Sequence, residues 1–392
     1  MTTTFAGTTA IAGIGQTEFS KDSGRTEMRL AVEAISSALD DAGLEPADVD
    51  GMVTFTLDRN EEVEVARNLG IGDLTFFSRS AYGGGAACAV VQQAAMAVAS
   101  GAATTVVAYR AFNERSWYRY GRVVERADLP TADVVQYSWL LPVGLATPAS
   151  WVAMITQRYM HEYGATTDDF GRVTVVDRAH AATNPDAFFY QRPITLEDHQ
   201  ASRWIVEPLR LLDCCQESDG AVALVITSLE RARDLRSTPA VIEAVAQGAT
   251  TGQWPVMVHY YRDSITDLPE MGLIARQLYE QSGLTPADIG CAQLYDAFSS
   301  MVLVTLEEFG FCARGEAGAY VRDGTIELGG ALPVNTNGGQ LGEAYLHGLN
   351  GITEAVRQVR GTAVNQVPNA DHVLATGGTG VPTSALILGR TS

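Results

Sequence analysis

The octapeptide Gly43-Leu44-Glu45-Pro46-Ala47-Asp48-Val49-Asp50 returns in the second half of the chain as Gly283-Leu284-Thr285-Pro286-Ala287-Asp288-Ile289-Gly290. Each copy occupies the same place in a longer succession of elements, which constrains the fold more than any other feature. Before it lies an apolar pattern at helical spacing: Met28, Ala31, Val32, Ala34, Ile35 and Leu39 in one copy, Met271, Ile274, Ala275 and Leu278 in the other. Glycine past the last turn, with proline shortly after, stops such a helix. A strand-like segment follows each, at 51–55 and 291–294. Both halves open on a strand (10–15 and 241–246) and carry a glycine-rich turn into a helix, Gly83-Gly84-Gly85 into 86–100 and Gly338-Gly339 into 346–359. Both then show an apolar strand (104–109 and 372–376) and a closing strand (221–227 and 384–388).

Two similar α/β halves, 1–235 and 236–392, are the simplest account, against the alternative that the repeat is only a common helix ending. A chain of 392 residues also exceeds the roughly 250–300 that one core serves. Strands alternating with helices predict mostly parallel sheets covered by helices. The first half carries an insertion at about 111–211, holding Trp117, Tyr118, Tyr120, Tyr137, Trp139, Trp151 and a helical stretch at 151–163. An insertion this long and aromatic is expected to cover a substrate or to contact a second copy.

Charge narrows the function. With 27 Lys and Arg against 46 Asp and Glu, the net charge of −19 argues against nucleic acid or an anionic membrane surface as partner. A few local cations, such as Arg203 and Arg210, can still hold a phosphate. No apolar run reaches the length of about 18 residues that suggests a span, and the opening residues lack a basic-then-apolar leader, so a cytoplasmic location is expected. Cys88, Cys214, Cys215, Cys291 and Cys312 form no CxxC pair and none lies near a His at metal-ligand spacing. Neither a disulfide framework nor a metal site is expected.

The blocks Arg158-Tyr159-Met160-His161-Glu162-Tyr163-Gly164, His180-Ala181, Asn184-Pro185, Glu207-Pro208-Leu209-Arg210-Leu211-Leu212-Asp213-Cys214-Cys215 and Gln216-Glu217-Ser218-Asp219-Gly220-Ala221 carry a family resemblance. On them the chain resembles the thiolase superfamily over essentially its whole length, and more closely its lipid-transfer branch, related to the sterol-carrier thiolases. The resemblance implies a five-layered αβαβα fold, a homodimer through the thiolase-like core and an acyl-CoA ligand. Relatives place a nucleophilic cysteine on the turn entering the first-half helix; here Gly84 holds that place, and Cys88, one turn further in, reads as a small packing residue. The second thiolase cysteine is missing too, its loop reading Ala375-Thr376-Gly377-Gly378-Thr379-Gly380. Claisen condensation through an acyl-cysteine is therefore not expected.

Two other reactive positions are altered together. Tyr295, in Tyr295-Asp296-Ala297-Phe298, heads the motif where relatives have Asn or His, and Tyr345 stands where they have the His of Gly-His-Pro. Taken singly, a tyrosine reads as amphipathic packing. Paired at two reactive positions without a nucleophile, the phenols suit proton transfer, Tyr295 as base and Tyr345 as acid or the reverse. A helix expected just after Tyr345 would lower its pKa from the usual value of about 10. Gly84, Gly378 and Gly380 are expected to offer backbone contacts to a thioester oxygen, and Asn337, which with Asn335 builds the turn before Gly338, an amide. His347 is expected in a supporting role beside the substrate or a structural one, Asp296 as a cap on the helix that follows it or a group that orients Tyr295, and His259, Tyr260 and Tyr261 as cleft candidates or surface packing.

This pattern resembles the steroid side-chain-cleaving aldolases of actinobacterial sterol and bile-acid catabolism. It implies retro-aldol cleavage of a β-hydroxyacyl-CoA, a 17-hydroxy steroid 20-carboxyl-CoA giving a 17-ketosteroid and propionyl-CoA. It also implies no cofactor, since CoA is part of the substrate, and a DUF35-type zinc-ribbon and OB-fold partner that makes a heterotetramer and holds any zinc. Two other readings stay open: a Cys88-dependent acyl-CoA acyltransferase, and a non-catalytic lipid- or acyl-CoA-binding subunit.

Overall fold

The structure, a computed structural model, describes residues 5–81, 83–117, 119, 138–253 and 262–391. Its main strands are β1 (Thr9–Gln16), β2 (Gly51–Phe55), β3 (Phe76–Ser80), β4 (Thr105–Asn113), β5 (Asp219–Ser228), β6 (Ala240–Gly248), β7 (Cys291–Gln293), β8 (His372–Thr376) and β9 (Thr383–Gly389). The main helices are α1 (Glu27–Ala42), α2 (Glu62–Leu69), α3 (Ala87–Ser100), α4 (Pro148–Tyr163), α5 (Thr167–Thr183), α6 (Pro269–Ser282), α7 (Ser299–Glu308) and α8 (Leu349–Arg360).

Most strands are apolar on both faces and so need helices on both. Along β5, Ala221, Ala223 and Val225 pack with Leu30, Ala34 and Ile35 of α1, while Val222, Leu224 and Ile226 join the side chains of α3 and α8. In the second half Leu386 and Leu388 of β9 face that same central core, and Ala385 and Ile387 face α6 and α7. Helices α3 and α8 each touch strands of both halves. The layers therefore run α1, first-half strands, α3 with α8, second-half strands, α6 with α7, the five expected.

The strand order is β3-β2-β4-β5-β1-β6-β9-β8-β7, the halves meeting where β1 pairs with β6 at Ala10–Val241 and Ile11–Ala240. Outward from that seam both halves repeat one pattern: β5 and β9 run antiparallel to both neighbours, while β2–β4 and β7–β8 are parallel. Val334, bridged in parallel to Ala292, takes the place that β3 has in the first half. The expectation of mostly parallel sheets is thus corrected. Only six residues link β8 to β9, too few for the crossover of a dozen or more that a parallel pair needs.

Two expected boundaries also move. Strand β4 pairs with β5 as far as Asn113–Asp219, so the insertion starts after Asn113 and not at Ala111. The helix expected from residue 346 begins at Leu349, because Gly348 precedes it at φ 90°, and a short helical turn, Gly339–Gly342, starts within the glycine pair first. Tyr118, Tyr120 and Tyr137 lie outside the described residues. No helix among the described residues is long and apolar enough to cross a membrane.

Helix α1 lies so close to β1 that Gly13 and Gly15 are required: a Cβ on either would overlap the carbonyl of Ala38 or Ala34. Gly15→Ala should lower the unfolding free energy by about 1–3 kcal/mol. Gly72→Ala, with nothing within 4 Å of the added carbon, should leave it unchanged, and equal chemical denaturation midpoints for the two variants would refute this account of the packing.

Candidate active site

Strand β7 ends at Gln293, and two side chains from other elements fix the path of the next residues. The Leu294 N–H donates to Asn335 Oδ1 (2.8 Å) and the Tyr295 N–H to Thr376 Oγ1 (2.9 Å). The Tyr295 ring then runs to the turn that enters α3, where three glycines make room for it. A Cβ on Gly84 would overlap the Tyr295 hydroxyl, one on Gly378 would lie 2.8 Å from the ring, and one on Gly348 3.1 Å from it. The phenol thus fills the space that a side chain at position 84 would need. The Tyr345 hydroxyl lies 3.1 Å from the Tyr295 hydroxyl, the two rings at 68° to each other, and the Tyr345 N–H is anchored on Ser218 Oγ at 3.2 Å.

Both phenols, with Gly83, Gly84, His347 and the 378–382 loop, line a cavity of about 730 Å³, within the range of about 300–1,000 Å³ usual for small-molecule sites. The insertion supplies much of the wall. Trp151, Phe189, Ile205 and Leu211 give it apolar surface, and Arg115, Arg119, Arg178 and Arg203 give it positive charge. Arg178 is buried, stacks on Phe189 at 3.6 Å, and has no carboxylate partner among the described residues. Arg210 is not on this wall; it donates to the Ser202 carbonyl and stacks on Trp204, so of the two arginines singled out for phosphate only Arg203 faces the cavity.

Burial decides the protonation of the site. It pushes both phenols well above 10, and for Tyr345 the facing Tyr295 adds to the rise. The expected lowering of Tyr345 is therefore corrected: α8 starts only at Leu349, and desolvation outweighs any helix dipole. At neutral pH both hydroxyls keep their protons. Glu114, just past the end of β4, also lines the cavity; burial and then Glu217 push its carboxyl well above 4.5, and its Oε2 has no hydrogen-bond partner among the described residues. A single glutamate after a strand carries no sequence signal, so this group was not foreseen.

Cys88 is fully buried inside α3, hydrogen-bonds the Ala375 carbonyl at 3.4 Å and does not reach the cavity. Burial pushes its thiol far up, so it is a packing residue and not a nucleophile. Several expected contacts are differently employed. Asn337 does not line the cavity: its amide donates to Glu343 and its Oδ1 accepts from the Gly339 N–H. Gly378 and Gly380 do line it, yet their N–H groups already bond the Gly84 carbonyl (3.1 Å) and Thr383 Oγ1 (3.3 Å). Asp296 is a cap, but of the distant turn Gly339–Gly342, whose Gln340 and Leu341 N–H groups it accepts, and not of α7. His259, Tyr260 and Tyr261 fall outside the described residues. No cluster suited to a metal ion occurs among the described residues.

Residues 256–390 match the thiolase C-terminal domain-like family. The chain is 66% identical over 384 residues, 98% of either chain, to a steroid side-chain-cleaving aldolase of Thermomonospora curvata. It is 63% identical over 388 residues, 98% of this chain and all of the other, to the 17-hydroxy-3-oxo-4-pregnene-20-carboxyl-CoA lyase of Mycobacterium tuberculosis. Among solved structures, the Ltp2-ChsH2(DUF35) aldolase superposes with a TM-score of 0.95 at 65% identity, covering 99% of both chains.

The loop that carries Tyr345 is held by Glu343, which accepts from the amides of Asn184 (3.1 Å), Asn337 and Asn350 (2.9 Å). Burial raises its carboxyl from 4.5 to about 8. A raised folded-state pKa favours the protonated form, so this contribution to stability is complete below about pH 4.5 and is lost as pH rises through 8. Glu343→Gln, which cannot ionise, should flatten the fall in unfolding free energy across that window. Equal slopes for wild type and variant in denaturation series would count against it.

Proposed function

The chain belongs to the thiolase superfamily, in the branch of the steroid side-chain-cleaving aldolases, and on that premise we propose that it is a carbon–carbon lyase for a β-hydroxyacyl-CoA. The observation that carries this reading is the Tyr295 phenol standing against the bare Gly84, 3.1 Å from the Tyr345 hydroxyl, on the wall of one cavity. The substrate is a 17-hydroxy steroid carrying a 20-carboxyl-CoA side chain, and the products are a 17-ketosteroid and propionyl-CoA.

The steps balance without a redox partner or water. The substrate hydroxyl gives its proton to Tyr295 Oη, its oxygen becomes the ketone as the C–C bond breaks, and the bonding electrons pass into the thioester as an enolate. Tyr345 protonates the enolate carbon as that carbon forms, within the same relay of protons. Because both phenols are neutral at rest and within hydrogen-bond reach of each other, no phenolate has to be stored. As Tyr295 takes the substrate proton, its own proton passes to Tyr345, whose proton goes to carbon. One proton has moved from oxygen to carbon, so CoA, carried by the substrate, is the only cofactor the chemistry calls for.

The wall suits both ends of this substrate. Five cationic residues line it (Lys21, Arg115, Arg119, Arg178 and Arg203) against two carboxylic acids, Glu114 and Glu217, the reverse of the balance in a chain of net charge −19. They would receive the CoA phosphates, and the aromatic and aliphatic wall the rings. A homodimer has a candidate contact in β3, which ends the sheet and exposes Phe77 at 59%. A DUF35-type partner on each chain of that homodimer would complete a heterotetramer and hold any zinc.

Mass spectrometry of the products, with the chain co-expressed with a DUF35-type partner, tests the reading. Wild type should release propionyl-CoA and the 17-ketosteroid. Tyr295→Phe and Tyr345→Phe should each lose about 10²–10⁴-fold in kcat/KM. Gly84→Ala, which displaces the Tyr295 ring, should lose activity as well, and Cys88→Ala should keep it. Cleavage that survives both phenylalanine substitutions would refute the assignment.

A further inference from the structure

A buried chain of three side chains ends on the cavity wall beside Tyr345. It begins at Asp58, which pairs with Arg110 of β4 (Oδ2 to Nη1, 3.0 Å), both side chains almost wholly buried. Arg110 Nε then donates to His347 Nδ1 at 3.1 Å. A guanidinium keeps its protons and has no acceptor, so His347 Nδ1 must offer its lone pair. A neutral imidazole that accepts at Nδ1 carries its hydrogen on Nε2. Burial and the charge of Arg110 hold the His347 pKa well below 6.5, so the ring stays neutral at working pH.

The surroundings also fix where that N–H lies. Phe112 stacks on the imidazole at 5.0 Å and 17°, Phe55 lies at 5.8 Å, and Tyr345 meets it edge-on at 5.1 Å and 81°. Arg110 is the charged group on the ring. The His347 backbone sits at φ 54°, a left-handed conformation that is uncommon for a non-glycine residue and persists only where its environment imposes it. The Nε2 edge lies against Gly83, where an added Cβ would come within 2.8 Å of it, and both residues line the cavity of the phenol pair. The N–H groups of Gly378 and Gly380, expected to serve an oxyanion, are already bonded within the protein.

We propose that Asp58 and Arg110 lock His347 as a neutral Nε2–H donor to the substrate's thioester oxygen, so that the enolate forms against a hydrogen bond already in place. The inference rests on the aldolase reading and adds to it one group that touches the substrate, His347, and two positioning residues. The enolate needs such a donor: Tyr345 delivers a proton to carbon, while negative charge develops on oxygen, where a preorganised donor lowers the barrier most. A neutral imidazole is a competent electrophile toward a carbonyl that becomes an enolate. His347 transfers no proton, so the balance of the reaction is unchanged.

Magic-angle-spinning spectra of the chain labelled with ¹⁵N-histidine, in complex with its DUF35-type partner, read the tautomer directly. The chain has six histidines, and the His347 signals are assigned by their loss in His347→Gln. Wild type should show a protonated Nε2 and a bare Nδ1 across the neutral range, whereas in Arg110→Gln the ring should exchange tautomers and take up a second proton on acidification. In turnover, His347→Phe should lose about 10²–10³-fold in kcat with little change in KM, and His347→Gln, which restores an N–H donor, should recover part of it. An Nδ1–H or imidazolium ring in wild type, or full kcat in His347→Phe, overturns the proposal. The tautomer is read without turnover, so a wrong tautomer in a protein that still cleaves its substrate removes the lock and leaves the aldolase standing. Absence of cleavage by wild type removes the aldolase reading and this role with it.

Discussion

A phenol can reach the N-terminus of α3 only if the residues around it have no side chains, and the rest of the site depends on that steric exchange. Gly84, Gly348 and Gly378 are the three bare positions, and the Tyr295 ring fills the space between them. A nucleophile at position 84 and a phenol at 295 exclude each other, because a Cβ on Gly84 would overlap the Tyr295 hydroxyl. Loss of the nucleophile is therefore the condition that lets the phenol in. Glycine at 84 thus leaves that position without a side chain and gives its volume to the Tyr295 phenol.

The second constraint is the low polarity of the surroundings. Tyr295, Tyr345, Glu114, Asp177 and Asp296 all have their pKa values pushed up by burial. An ionised phenol would be costly here, which favours a relay between two neutral hydroxyls over a resting base. The same environment strengthens every hydrogen bond to a charge that develops during reaction. Arg110, which reaches His347 beside Tyr345, is neutralised by Asp58 at 3.0 Å.

What the sequence disclosed, and what it concealed, follows from how local each signal is. The order of strands and helices was legible because caps and periodicity are written in adjacent residues: Gly43 and Gly283 end α1 and α6 in the left-handed conformation that glycine allows. Gly84, Tyr295 and Tyr345 were legible because they stand at motif positions. Strand sense was not, since the antiparallel β5 and β9 are placed by connections and pairings across the chain. The sign of the Tyr345 shift was misread because burial is a tertiary property, and Gly378 was misjudged because the partner that occupies its N–H, Gly84, lies almost three hundred residues away. Asp58 and Arg110 have no pattern that would join them to His347 before the chain is folded.

The repeat explains why so much of this converges on one point. Gly84, Arg110 and Asp58 come from the first half, and Tyr295, Tyr345, His347 and Gly378 from the second, so the reacting groups belong to both sides of the β1–β6 seam. Few residues pair across that seam. The registration of the halves must therefore come from α3 and α8, which are packed against strands of both. A hydroxyl pair 3.1 Å apart depends on that registration, since displacement by about 1 Å can cost 10²-fold in rate. The central core between the two halves thus sets the distance between the two hydroxyls.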